Sequence, residues 1–212
     1  MKILLAFDMD NTLVKTDVKV FEMAINYCKV HGKKFELNEL IECRDRKGDY
    51  NKLSESTKEI IYKEVIEKRV YMDYAEESDI VENHFGGYLK VLKKMYPEVK
   101  TAICTHRGDN REARLSTHNW LDKRDLMEEF DAIYSISHKH NSDKIAYLKE
   151  KNEGYFVLLV DDNPFGSSSK VREKCENVLV YDGLVSLPCH ENQNKFVDMS
   201  DVIMKIAELT GA

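Results

Sequence analysis

Asp8 and Asp10 stand two residues apart at the end of an almost wholly apolar run, residues 2–7, and Asp161 and Asp162 close a second such run, residues 155–160. Short continuous apolar runs make strands of a parallel sheet that are covered on both faces. A strand of that kind cannot carry bare carboxylates in its interior without a large desolvation cost. The acids therefore belong at its C-terminal edge, turned toward a cation or a ligand. Two strands that deliver acids from the same end predict one shared acidic crevice, and that crevice is the expected seat of function.

The elements around these runs define the scaffold. After the first site, Thr16 or Asp17 is read as the cap of a helix with the stripe Phe21, Ala24, Ile25 and Cys28, stopped at Gly32. Helical patterns follow at 36–44, from Ser54 to about Tyr74 with Ile60, Ile61, Tyr62 and Val65 inward, and at 78–95, with a loop at 45–53. In the last of these helices Gly86 and Gly87 mark a weak point or a close-packing contact. From residue 99 onward, short apolar strands alternate with helices: strands at 99–104, 131–136, 155–160 and 178–181, and helices near 109–121, after Asn141 or Ser142, near 167–176 and from Ser200. This alternation predicts an α/β fold, a doubly wound parallel sheet with helices on both faces. The expected domains are a core of residues 1–15 and 96–212 and a helical insertion of residues 16–95.

Composition narrows the classes. The 212 residues carry a net charge of -6 and 33% charged residues, which argues against a broad surface for nucleic-acid backbones. No run approaches membrane-spanning length and the first residues read as a strand, so neither membrane nor signal peptide is expected. Cys28, Cys43, Cys104, Cys175 and Cys189 are odd in number and lack paired spacing, the pattern of reduced thiols in the cytoplasm.

Asp8-Met-Asp10-Asn-Thr12 resembles the DxDxT signature of the haloacid dehalogenase (HAD) superfamily of phosphohydrolases. Thr105, Lys144 and the Asp161-Asp162 pair are similar to its remaining motifs, in the right order. The resemblance implies a Rossmann-like core with a helical cap inserted between the first and second motifs. It also implies a Mg²⁺-dependent phosphatase acting through an aspartyl-phosphate. Asp8 would be the nucleophile, and Asp10 would give a proton to the leaving group and later take one from water. Thr105 would bind the phosphoryl oxygens, and Lys144 would reach both the nucleophile and the phosphate. Asp8, the Asp10 backbone oxygen and Asp161 or Asp162 would hold the metal, and Thr12 would brace the loop after the first strand.

Asn11, His106 and Arg107 are candidate substrate contacts. Arg107 suits a second phosphate or a base, and the alternative is a salt bridge near Asp109. His138 and His140 read as a solvated loop, since no Cys or Glu lies at metal-ligand spacing. Trp120 and Tyr50, Tyr62, Tyr71 and Tyr74 read as core or interface, with stacking on a base as the alternative. The expected partner is a small phosphorylated substrate, nucleotide-like on the strength of Arg107 and the cap aromatics. The alternatives are a polynucleotide 3′-phosphatase, which needs a basic track that the acidic balance disfavours, and a catalytically silent binding protein of the same fold.

Overall fold

The computed structural model of the chain describes residues 1–45, 50–68, 72, 75–165, 170–181 and 188–211. Among the described residues six strands form one sheet: β1 (Ile3–Phe7), β2 (Lys100–Thr105), β3 (Ala132–Ser135), β4 (Phe156–Asp161), β5 (Val178–Tyr181) and β6 (Asn194–Phe196). Their spatial order is β3-β2-β1-β4-β5-β6, and every neighbouring pair is parallel. From β1 the chain winds outward through β2 and β3, then returns to wind the other way from β4. The reversal falls between β1 and β4, and in sheets of this kind a crevice opens there, outside the carboxyl ends of the strands. Leu5 pairs in register with Leu158 and Phe7 with Val160, so the two acid-bearing ends finish level with one another.

All five residues of β1 are buried because both faces are covered. One face packs Leu4, Ala6, Ala102, Cys104, Val157 and Leu159 against Ile136 and Leu148. Phe7 points to the other face, where its ring meets Phe85 edge-on at 5.3 Å and Phe130 at 6.2 Å.

The chain divides into two compact units: Met1–Leu13 with Ile80–Ala212, and Val14–Asp79. The second is helical: α1 (Thr16–Val30), α2 (Lys34–Asp45), and α3 (Glu55–Ile60) continuing into a π turn, Ile61–Ile66. Its core gathers Ala24, Ile25, Cys28, Leu40, Ile61 and Val65. Tyr62, expected inward, is 56% exposed, because the π turn rotates the face that α3 began. Neither Thr16 nor Asp17 caps α1; Lys15 occupies that position and makes no capping hydrogen bond through its side chain. Ser54 does cap α3, accepting from Thr57 N. The expected loop positions 46–49, the end of the expected long helix with Tyr71 and Tyr74, and the first residues, 167–169, of the helix expected near 167–176 lie outside the described residues.

The sheet unit reclaims residues 80–95 from the insertion expected to run to residue 95. The reason is α4 (Phe85–Met95), whose buried Phe85, Leu89 and Leu92 belong with the aromatic cluster on Phe7. A Cβ on Gly86 would meet Leu126 Cδ2 at 2.9 Å, so this glycine marks a close-packing contact, while Gly87 faces open space. Among the described residues the remaining α-helices are α5 (Arg111–Asp122), α6 (Lys144–Lys151) and α7 (Met199–Thr210). Residues 170–176 are irregular rather than helical. Gln193 accounts for this: its side chain accepts from Cys175 N at 2.9 Å and donates to Glu173 O at 2.9 Å, bonds that a helix would have made within itself.

Candidate active site

The crevice end of β1 carries Asp8, whose backbone N–H donates to Val160 O at 2.9 Å and so ties the two strand ends together. The next strand supplies Asp161, 1% exposed, as its last residue. Lys144 opens α6 one residue after Asp143, which caps that helix by accepting from Ala146 N, a role the sequence had given to Asn141 or Ser142. The cap fixes where the helix starts and so aims its first side chain into the crevice. Lys144 Nζ lies 2.8 Å from Asp8 Oδ1 and donates to Asp161 Oδ2 at 2.7 Å. Asp161 Oδ1 accepts from Asn163 N at 2.8 Å.

This triad is buried, and its electrostatics follow. Burial pushes the Asp8 carboxyl up to about 7; Lys144 opposes the shift, and the negative charges of Asp161 and Asp10 add to it. Burial draws Lys144 toward the neutral amine, but Asp161 and then Asp8 outweigh it and hold the ammonium charged. Cys104, on β2 nearby, has its thiol pushed up to about 12 by burial, which leaves it unreactive.

Beyond the triad, Asn11 takes a left-handed conformation, φ 61°, which bends the chain sharply after Asp10 and which asparagine tolerates well. Thr12 then reaches across to the second acid pair: its Oγ1 accepts from Asp162 N at 3.0 Å and donates to Asp162 Oδ1 at 3.3 Å. Oxygens of Asp8, Asp161 and Asp162 all lie within 4.8 Å of one another. Three carboxylates at this separation form an all-oxygen set suited to a hard divalent cation.

Thr105 ends β2, and its Oγ1 is buried without a hydrogen-bond partner among the described residues. Such a group is costly to leave unsatisfied, and it fits an anionic oxygen as acceptor. After it the chain turns at Gly108, φ 118°, whose N–H donates to Ile136 O at 3.1 Å. His106 is half-buried and is 2.8 Å from Asn141 O through Nε2; its ring centre lies 4.9 Å from that of His138 with the planes tilted by 36°, and burial and Lys144 lower its pKa. His140 is exposed, 3.4 Å from Asp109. The arginine does not pair with Asp109. Arg107 turns inward, its side chain 0% exposed, and grips Asp10 with two hydrogen bonds, 2.9 Å from Nε and 2.7 Å from Nη2. Neither local sequence pattern nor spacing signals this ion pair, because its partners are 97 positions apart.

No protein-family model and no curated protein matches the chain. Solved structures do. A predicted phosphatase from Clostridium acetobutylicum superposes with a TM-score of 0.58 at 17% identity, covering 98% of this chain and 99% of that one. L-2-haloacid dehalogenase from Xanthobacter autotrophicus gives 0.54 at 15% identity, with 97% and 98% covered. The chain has the fold of the HAD superfamily. YfnB from Bacillus subtilis, a HAD hydrolase whose structure contains magnesium, gives 0.52 at 12% identity, with 95% and 97% covered. This chain matches each of these structures over nearly its whole length. Among the described residues no helix is long and apolar enough to cross a membrane.

Proposed function

We propose that this chain is a Mg²⁺-dependent phosphatase that cleaves a small phosphomonoester through an aspartyl-phosphate. The observation that carries the reading is Lys144 bridging Asp8 and Asp161 at 2.8 and 2.7 Å, with Asp10 two residues beyond Asp8. A nucleophile, a buried cation beside it and a second acid at the leaving-group side are what transfer of a phosphoryl group requires.

Asp8 attacks phosphorus through a carboxylate oxygen, and the ester P–O bond breaks with its electron pair leaving on the alcohol oxygen. Asp10 gives that oxygen its proton. A water then attacks the phosphorus of the aspartyl-phosphate, passes a proton to Asp10, and returns Asp8 as a carboxylate with inorganic phosphate released. The Lys144 ammonium balances the charge on Asp8 and on the phosphoryl oxygens, and the buried Thr105 hydroxyl donates to one of those oxygens. Asp8, Asp161 and Asp162 would hold Mg²⁺ with the Asp10 backbone oxygen, and the metal when bound would offset the charge of the phosphate. The magnesium in the Bacillus relative supports that assignment.

The same fold serves a dehalogenase. Expelling a halide requires no proton, so an acid held at Asp10 favours a substrate with an oxygen leaving group. The helical unit Val14–Asp79 serves in this proposal as the cap that selects the substrate, and a nucleotide-like ester is the first class to try.

The test is phosphate release from nucleotides, sugar phosphates and an activated aryl phosphate, with Mg²⁺, with chelator, and with Asp8→Asn. Turnover that needs Mg²⁺ and disappears in Asp8→Asn is expected. Turnover retained in Asp8→Asn would overturn the covalent route. Silence toward every ester would favour the binding-protein alternative.

A further inference from the structure

The Phe7 face of the sheet holds a cavity that the reaction above does not use. Phe7 pairs in register with Val160, Val160 with Leu179, and Tyr181 with Phe196. Side chains alternate along a strand, so Phe7, Val160, Tyr181 and Phe196 share one face at the carboxyl ends of β1, β4, β5 and β6. Phe85 of α4 and Met199 of α7 close over them and leave a cavity of about 110 Å³, wholly within the sheet unit. The Tyr181 and Phe196 rings lie 5.1 Å apart. Glu82, half-buried, brings a carboxylate into this aromatic lining. Its Oε2 accepts from Met199 N at 3.0 Å, and among the described residues no cation forms an ion pair with it. Burial pushes its carboxyl above the usual range; the Met199 N–H opposes that, Asp198 adds to it, and exposed His84 offsets it least. Burial and then the Glu82 charge push the Tyr181 phenol up in turn.

A carboxylate drawn partly out of water without a counter-charge favours a cation beside it. The surroundings decide which cation. A hard metal ion needs several oxygen ligands, and the carboxylates grouped closely enough for one are Asp8, Asp161 and Asp162, not Glu82. Aromatic rings instead attract organic ammonium groups, and the same walls accept the attached carbons. A cavity of about 150 Å³ holds benzene, with its six carbons, so 110 Å³ admits roughly four non-hydrogen atoms. We propose that this cavity binds a small alkylammonium ion, its charge against Glu82 and its carbons against Phe7, Phe85 and Phe196. Thr12 and Val160 also line the cavity, so the ligand touches the residue that braces Asp162 and the residue that precedes Asp161. The site is separate from the phosphatase reading and does not depend on it.

The experiment titrates the full chain with n-propylammonium, 1-propanol and propionate, three probes of similar size with positive, zero and negative charge. Calorimetry is run at constant ionic strength with Mg²⁺ present, so that the acidic crevice does not compete for the amine. Propylammonium is expected to bind with a dissociation constant of roughly 0.1–10 mM, the range open to so few atoms. Propanol should bind at least tenfold more weakly and propionate not at all. In a methyl-labelled sample the Met199 signal shifts with the calorimetric midpoint, while that of Met204, exposed on the same helix, stays put. Glu82→Gln keeps an oxygen to accept from Met199 N and removes the charge, so its affinity for propylammonium should fall at least tenfold, to that for propanol. If Glu82→Gln does not fold by circular dichroism, Phe196→Leu carries the test, weakening propylammonium more than propanol because a ring face is lost. Equal affinity for propylammonium and propanol would overturn the proposal, as would a Met199 signal that does not move or a Glu82→Gln variant that binds the amine as the wild type does. Absence of binding by any probe overturns it too, and none of these results bears on phosphate release.

Discussion

Thr12 and Asp162, 150 positions apart in the chain, are joined twice, the hydroxyl of one accepting from the backbone N–H of the other and donating to its carboxylate. The loop that follows β1 is thereby fastened to the loop that follows β4, and Asp162 is held where its carboxylate faces Asp8 and Asp161. Replacing Thr12 by Val keeps the shape and removes both bonds. The expected result is a Mg²⁺ requirement raised about tenfold to a hundredfold, as for loss of other groups that orient metal ligands. Titrating activity against Mg²⁺ checks it, and an unchanged midpoint would show that Asp162 needs no brace.

Lys144→Met leaves two buried carboxylates without their cation. Side chains 9% and 1% exposed cannot recover their hydration in place, so the variant should lose about 3–5 kcal/mol. Thermal unfolding without Mg²⁺ should fall by roughly 10 °C, and added Mg²⁺ should stabilise the variant more than the wild type, since it neutralises the same two acids. Equal shifts in the two proteins would disconnect the lysine from the metal set.

In the helical unit, the Ser54 hydroxyl and then the Thr57 hydroxyl, both donating to the Glu39 carboxylate, hold its pKa below the usual range, helped by the Ser54 N–H. A carboxyl group depressed on folding adds stability that is complete above its unfolded pKa of about 4.3 and is lost as pH falls through the lower folded value. The gap in Tm between wild type and Glu39→Gln should therefore be constant from neutral pH down to about 5 and close below about 4. A gap that persists in acid would assign the effect to packing.

The adjacent glycines of α4 separate space from propensity. Gly87→Ala should add about 0.5–1 kcal/mol, because nothing stands in the way and the helix gains. Gly86→Val should destabilise by about 1–3 kcal/mol, because its Cβ meets Leu126 Cδ2 at 2.9 Å before the branches are added. Urea unfolding of both variants reads the contrast in sign.

The parts of the fold legible in the sequence were those with a local signature. β1, β2, β4 and β5 are apolar runs, and the parallel sheet follows from their alternation with helices. β6 has three residues, one of them a lysine, and exists because Leu179 and Val180 offer it an edge. The segment 170–176 has helix-forming residues but spends its backbone groups on Gln193. The boundary of the insertion was misplaced because helix pattern records amphipathicity, not which core the apolar face joins. At the site, Asp8, Thr105, Lys144 and Asp161 were visible because each stands at the end of a strand or the start of a helix. Arg107 was visible as a cation but not as the partner of Asp10, since a contact across 97 positions leaves no mark on either neighbourhood.

Strand β1 has a consequence for synthesis of the chain. It lies in the centre of the sheet, yet its partners β2 and β4 begin at Lys100 and Phe156. At about 5–20 residues per second, a ribosome needs roughly 10–30 s after making β1 to complete the strand that closes its second edge. Through that interval Ile3–Phe7 is an apolar segment with an open edge, the kind of segment that holdase chaperones bind and that pairs with other nascent chains. Asp8 and Asp161 therefore meet late in folding, and the protein acquires its reactive centre only once most of its length has left the ribosome.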